Sequence, residues 1–176
     1  MKPKLFLVAF SLLSIAFITS CNNQSDKSTT EKLNTETINN KPMDKEQLTD
    51  FGTKYAAAWC SQKPENVAAF FAIDGSLKVN ADSAAVGREA ITKVAQGFMD
   101  AFPDMIVAMD SLVFNANNTA FHWTLTGTNS GPGGTGNKVN ISGFEVWTFS
   151  ETGLIQKSIG SFDAAEYNRQ LKEGIK

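Results

Sequence analysis

Thr119-Ala120-Phe121-His122-Trp123-Thr124-Leu125-Thr126-Gly127-Thr128 is the stretch whose reading decides the fold class. Phe121, Trp123 and Leu125 alternate with His122, Thr124 and Thr126. Successive side chains of a strand point to opposite faces, so this pattern predicts a strand with one apolar face and one wet or lightly packed face. Met105–Phe114, Lys138–Phe149 and Leu154–Phe162 read as further strands. Asn115-Ala116-Asn117-Asn118 and Glu151-Thr152-Gly153 supply hairpin turns, and Gly131-Pro132-Gly133-Gly134 lies in a longer loop.

Helical patterns precede the strands. Leu48, Phe51, Tyr55 and Trp59 fall on one helical face, with Asp44 and Gln47 placed to cap its start. Lys63-Pro64-Glu65 opens a short second helix whose buried set is Val67, Phe70 and Phe71. Asp74-Gly75 reads as a turn and Leu77–Asn80 as a short strand. A third helix after Gly87 carries Ile91, Val94, Phe98, Ala101 and Phe102, and Pro103 stops it. A short C-terminal helix starts near Ala164. Helices first and antiparallel strands afterwards indicate α+β, with a curved sheet closing over three helices to form a cone with an interior.

The chain has 176 residues and a formal net charge of −2. Its two arginines, Arg88 and Arg169, form no basic stripe, which argues against nucleic acid as a partner. One histidine (His122) and two cysteines argue against a classical metal cluster, and no cofactor is implied.

Residues 1–20 read as a secretory leader: Lys2 and Lys4 precede an apolar run from Leu5 to Ile18. Ile18-Thr19-Ser20-Cys21 resembles the bacterial lipobox, which implies cleavage after Ser20 and lipid on Cys21. A multiply acylated cysteine holds durably to a membrane. The expected location is therefore the cell envelope, and Asn22 after the cysteine favours the outer membrane over the inner. Residues 21–45 then comprise the lipidated cysteine and a polar spacer with few apolar positions, too few to build a core. The folded domain is expected over residues 46–176. Cys60 is expected to be a small packed residue, since no histidine lies near it in sequence.

Phe102-Pro103-Asp104-Met105, Trp123-Thr124-Leu125-Thr126-Gly127-Thr128 and the loop with Thr135-Gly136 occur in an order that resembles the SnoaL-like polyketide cyclases of the nuclear transport factor 2-like superfamily. The resemblance covers about residues 47–171. It implies a cone with a hydrophobic pocket between sheet and helices, and homodimers formed through the outer face of the sheet. In that family an aspartate on the last strand moves a proton, and a histidine one strand earlier assists. Aligned on Gly153, the aspartate's position falls at Gly160 and the histidine's at Val146. Neither can transfer a proton, and the family's Gly-Thr-His is Gly127-Thr128-Asn129 here.

Asp163 and Glu145 remain as candidate acids or bases. Asp163 reads in preference as an Asp-x-x-Glu cap of the C-terminal helix with Glu166. Glu145 lies in a strand that is apolar on both faces, so periodicity does not say which way it points. His122 is expected on the surface or at an interface. Gly131-Pro132-Gly133-Gly134-Thr135-Gly136 matches G-x-G-x-x-G, but a strand follows it, so no helix N-terminus faces a phosphate. Trp59, Phe98, Phe102, Trp123 and Trp147 are candidate pocket-lining residues as well as good core.

Three functions follow, in this order. The first is an anchored domain that binds a small hydrophobic or aromatic molecule without converting it. The second is an enzyme of ester- or polyketide-cyclase type using Asp163 or Glu145. The third is a non-catalytic dimeric interaction protein of the envelope.

Overall fold

The computed structural model describes residues 43–176, so the leader, Cys21 and the spacer up to residue 42 lie outside the described residues. Four helices and six strands follow in the order α1 (Lys45–Cys60), α2 (Pro64–Ala68), β1 (Phe71–Val79), β2 (Ala85–Val86), α3 (Arg88–Ala101), β3 (Ile106–Phe114), β4 (Thr119–Thr128), β5 (Lys138–Phe149), β6 (Ile155–Phe162) and α4 (Ala164–Glu173). The strands form one sheet, β2-β1-β6-β5-β4-β3, antiparallel throughout except for the parallel β1–β6 pair. The α+β expectation of helices on a mostly antiparallel sheet matches this architecture.

Local chemistry sets the helix starts. Asp44 accepts from the Gln47 backbone N–H at 2.9 Å, and its own N–H donates to Gln47 Oε1 at 3.0 Å, a reciprocal cap. Pro64 sits in the first turn of α2. Asp163 accepts from the N–H groups of Ala165 and Glu166, both at 2.9 Å, and so starts α4.

The apolar faces meet in one core. Tyr55, Phe71, Ile91, Phe102, Phe121, Trp147 and Ile155 are fully buried within it. The two motif segments touch each other. Asp104 Oδ1 accepts from the Thr128 N–H at 2.6 Å, and this bond holds its carboxyl below the usual carboxylate range. A Cβ on Gly127 would meet Phe102 at 3.3 Å, so the glycine lets the end of α3 close on β4. The glycine loop folds back on that same helix end. Asn129 Nδ2 donates to the Ala101 carbonyl, and Asn129 Oδ1 accepts from the Thr135 N–H. A side chain on Gly131 would run into the Asp100 carbonyl.

Two expectations for the first strand need correction. Asp74-Gly75 is not a turn but an irregularity inside β1, where the pairing with β6 shifts between Phe71 and Ser76. Glycine is needed there because a Cβ would lie 2.7 Å from the Ile155 carbonyl oxygen. Phe71 accordingly belongs to the strand rather than to the second helix, and the strand runs through Val79 from there.

Candidate active site

Between the inner face of the sheet and the helices lies a cavity of about 50 Å³. Trp59, Phe98, Val107, Phe121, Trp123 and Phe162 dominate its wall, and Leu77, Val79, Leu125 and Gly160 complete the apolar part. Glu145 and Ser161 are its polar members, and among the described residues no lysine, arginine or histidine lines it.

Glu145 stands on β5 and is 6 % exposed. Three donors converge on its Oε2: Tyr55 Oη at 3.0 Å, Trp147 Nε1 at 3.0 Å and Ser158 Oγ at 2.6 Å. They come from α1, β5 and β6. Among the described residues no protein donor engages Oε1. Burial pushes the Glu145 carboxyl above its ordinary value, opposed by the bonds from Ser158, Trp147 and Tyr55. Burial and the neighbouring Glu145 charge push the Tyr55 hydroxyl well above its ordinary value, so Tyr55 stays a donor. A carboxyl with one oxygen clamped and a high affinity for its proton can offer that proton to a neighbour, or take one back, within an apolar cavity.

The strand register decides which face Glu145 occupies. Glu145 pairs with Phe121 on β4 and with Gly160 on β6, and directly paired residues share a face. Trp147, two residues on, stacks on Phe121 with ring centroids 4.7 Å apart. Gly160 therefore has Glu145 across the ladder from it, whereas Val146 pairs with Ile159 and faces outward. A group cooperating with position 160 would stand at residue 145, not at residue 146. A Cβ on Gly160 would lie 3.5 Å from Glu145 Cγ. The carboxylate in this cone is thus one strand away from the position that the resemblance implies.

The other candidates separate. Trp59, Phe98 and Trp123 do line the cavity. Phe102 and Trp147 are completely buried and do not. Phe102 is committed to the end of α3, beside Tyr167 and Gly127, and Trp147 reaches the site only through its bond to Glu145. Asp163 is a correction to the expectation of an acid at the pocket: it is exposed, absent from the cavity wall, and spends its carboxylate on the α4 cap. His122 faces outward beside Phe144, at 5.7 Å between ring centroids. Cys60 is half-buried, and its Sγ accepts from the Val107 N–H at 3.1 Å.

Tyr55 and Ser158 escaped the sequence reading. They lie 90 and 13 positions from Glu145, and nothing in their local patterns marks them as its partners. Trp123 carries a second signal. Its Nε1 is buried with no hydrogen-bond partner among the described residues, an omission that costs about 1–3 kcal/mol.

A raised native pKa makes Glu145 destabilising as pH climbs. Below the ordinary value of 4.5 both folded and unfolded forms carry the proton. Above it the unfolded chain loses that proton before the folded one does. This contribution to stability therefore falls from pH 4.5 up to the native pKa and is flat beyond. Glu145→Gln is expected to abolish this component, so that urea-denaturation stabilities of variant and parent diverge across that window. Parallel curves would show that Glu145 titrates at its ordinary value.

No curated protein matches the chain. Among solved structures it is similar to TsrD from Streptomyces laurentii, with 17% identity, a TM-score of 0.64, and 73% of this chain and 97% of that chain covered. It is also similar to a protein with a ketosteroid isomerase-like fold from Catenulispora acidiphila in complex with trimethylamine (16% identity, TM-score 0.62, 70% and 92% covered). A third is the epoxide hydrolase/cyclase-like enzyme SalBIII of pyran ring formation in salinomycin (14% identity, TM-score 0.60, 70% and 95% covered). These likenesses carry the fold, the nuclear transport factor 2 and ketosteroid isomerase-like cone. The model of the SnoaL-like polyketide cyclases matches residues 49–171, from the first helix to the last, and the chain belongs to that family.

Proposed function

We propose that the domain takes a small, uncharged, mainly apolar molecule into its cavity and that Glu145 exchanges a proton with it as general acid or base. The observation that carries this reading is the Glu145 carboxyl itself, with one oxygen held by three donors, at a wall that apart from Ser161 is otherwise apolar. Such a group favours proton transfer to a carbonyl, epoxide or ester oxygen, or removal of a proton beside one. Among the described residues no cationic side chain lines the wall, which favours an uncharged substrate over an anionic one. The family's cyclases and SalBIII, an epoxide hydrolase/cyclase-like enzyme, support this class of chemistry by analogy of fold.

The reading is tested by following small ketones, epoxides and lactones with the soluble domain by NMR. Glu145→Gln is expected to lower turnover by about 100-fold or more, the usual contribution of a general acid or base, and Asp163→Asn to leave it within a few-fold. Turnover unchanged in Glu145→Gln overturns the reading. A second reading, holding a small hydrophobic or aromatic molecule without converting it, is favoured by Gly160, which offers no second proton-transfer group. Compounds that raise the melting temperature yet are never converted would select it.

A homodimer through the outer face of the sheet is the third element of the proposal. Val113, Ala120, Val146 and Ile159 form one row across β3, β4, β5 and β6, and Phe144 flanks it. Of these, Val113, Phe144 and Ile159 are 47%, 40% and 39% exposed. Sedimentation is expected to give a dimer, and Phe144→Lys with Ile159→Lys a folded monomer; a monomeric parent overturns this.

The anchor completes it. With the full chain in a bacterial host, an alkynyl fatty acid is expected to label the protein, and Cys21→Ser to lose the label and leave the membrane fraction. Equal labelling of both would refute lipid on Cys21.

A further inference from the structure

The proton of the Glu145 carboxyl has two oxygens to sit on, and their surroundings differ. Oε2 takes three donors, Tyr55 Oη and Trp147 Nε1 at 3.0 Å and Ser158 Oγ at 2.6 Å. A carboxylate oxygen offers about two lone-pair sites, so these donors saturate it. A proton on Oε2 would turn at least one of them away, and the Trp147 indole, a donor only, has no second way to pair. A proton on Oε1 turns none away. Oε1 also keeps accessible surface. Among the described residues Trp123 Nε1 is the one fully buried side-chain polar atom without a partner, so Oε1, which no protein donor engages, is not sealed off. Glu145 stands at the cavity wall, and that surface opens to the cavity.

Ser158 makes the shortest of the three bonds. It pairs with Trp147 across β5 and β6 and with Leu77 across β6 and β1, is completely buried, and its hydroxyl donates to Glu145 alone among the described residues. Directly paired residues share a face, so Ser158 is held beside Trp147 on the inner side of the sheet. Tyr55, brought by α1, is the one titratable side chain bonded to Glu145; the other side chains that α1, α3 and the strands present to the cavity do not titrate.

We infer that Ser158 is a positioning residue for Glu145: with Tyr55 and Trp147 it occupies Oε2, confines the exchangeable proton to Oε1 at the cavity, and stabilises the carboxylate once that proton has left. The inference rests on the reading of Glu145 as general acid or base. When the Oε1–H bond breaks, the proton passes to an acceptor oxygen of the ligand. The carboxylate left behind keeps all three donors, which bind the charged form more strongly than the neutral one. The proton therefore leaves and returns without any donor having to move.

The test follows the Glu145 carboxyl by ¹³C NMR and the Trp147 indole N–H by ¹⁵N NMR in the full chain in detergent. Glu145→Gln identifies the first signal, and Trp59→Phe with Trp123→Phe the second by elimination. Ser158→Ala is expected to raise the midpoint of the Glu145 titration by about one pH unit, a tenfold gain in proton affinity, as one bond to the charged form is lost. The pH profile of turnover is expected to move with it, and Ser158→Thr, which keeps the hydroxyl, to return both. In the parent the Trp147 signal is expected to stay downfield, hydrogen-bonded, on both sides of the midpoint. A midpoint unmoved in Ser158→Ala overturns the inference. So does an upfield jump of the Trp147 signal as Glu145 takes its proton, which places that proton on Oε2. In either case a loss of turnover in Glu145→Gln leaves the Glu145 reading standing. A raised midpoint in Ser158→Ala with unchanged turnover in Glu145→Gln does the reverse. If Ser158→Ala does not fold, the Trp147 signal of the parent decides.

Discussion

Three hydrogen bonds onto one oxygen organise the centre of this protein. Glu145 Oε2 receives Tyr55 from α1, Trp147 from β5 and Ser158 from β6, tying helix to sheet at a point removed from water. A carboxyl in such a place is costly unless it is hydrogen-bonded, and donors from three separate elements meeting at one oxygen favour one packing. Around it the aromatic rings take their geometry. Tyr55 meets Phe70, Phe121 and Trp147 edge to face, and Trp147 stacks on Phe121. The carboxyl at the cavity wall is thus also the pin that positions α1 over the sheet. The proposed proton transfer and the packing share the same atoms, so replacing the whole side chain disturbs both, while a neutral isostere separates them.

The segments that carry the family resemblance act mainly on structure. Asp104 is bonded to the start of the glycine loop through Thr128, Gly127 admits Phe102, and Asn129 folds the loop onto the end of α3. The amide of Asn129 makes the loop contacts that close this end of the fold. The carboxyl at the cavity wall sits elsewhere, on Glu145, which faces Gly160 across the ladder because directly paired residues occupy the same face at the same height.

Much of the fold was legible in local pattern. The strand at Thr119–Thr128 has its stated bounds, and the hairpin turns and the Asp44 and Asp163 caps are where short-range chemistry puts them. The site was legible only in part. Trp59, Phe98 and Trp123 reach the cavity wall, while Phe102 and Trp147, equally apolar in sequence, pack behind it. Burial drives aromatic side chains off water without saying whether the space beyond them is filled. Asp163 illustrates the opposite limit. Its capping signature and its family position were both visible, and the helix start claims its carboxylate.

The amino-acid sequence by itself determined the α+β class, the helix faces, most strand limits and the lack of a side chain at position 160, because these depend on neighbours within a few residues or on residue identity alone. Tertiary structure decided the parallel pairing of β1 with β6, the irregularity at Asp74-Gly75, the inward direction of Glu145 and the unmatched indole of Trp123. Each of these is a relation between segments far apart in the chain. A strand that is apolar on both faces has no preferred side until another sheet edge and a helix are laid against it.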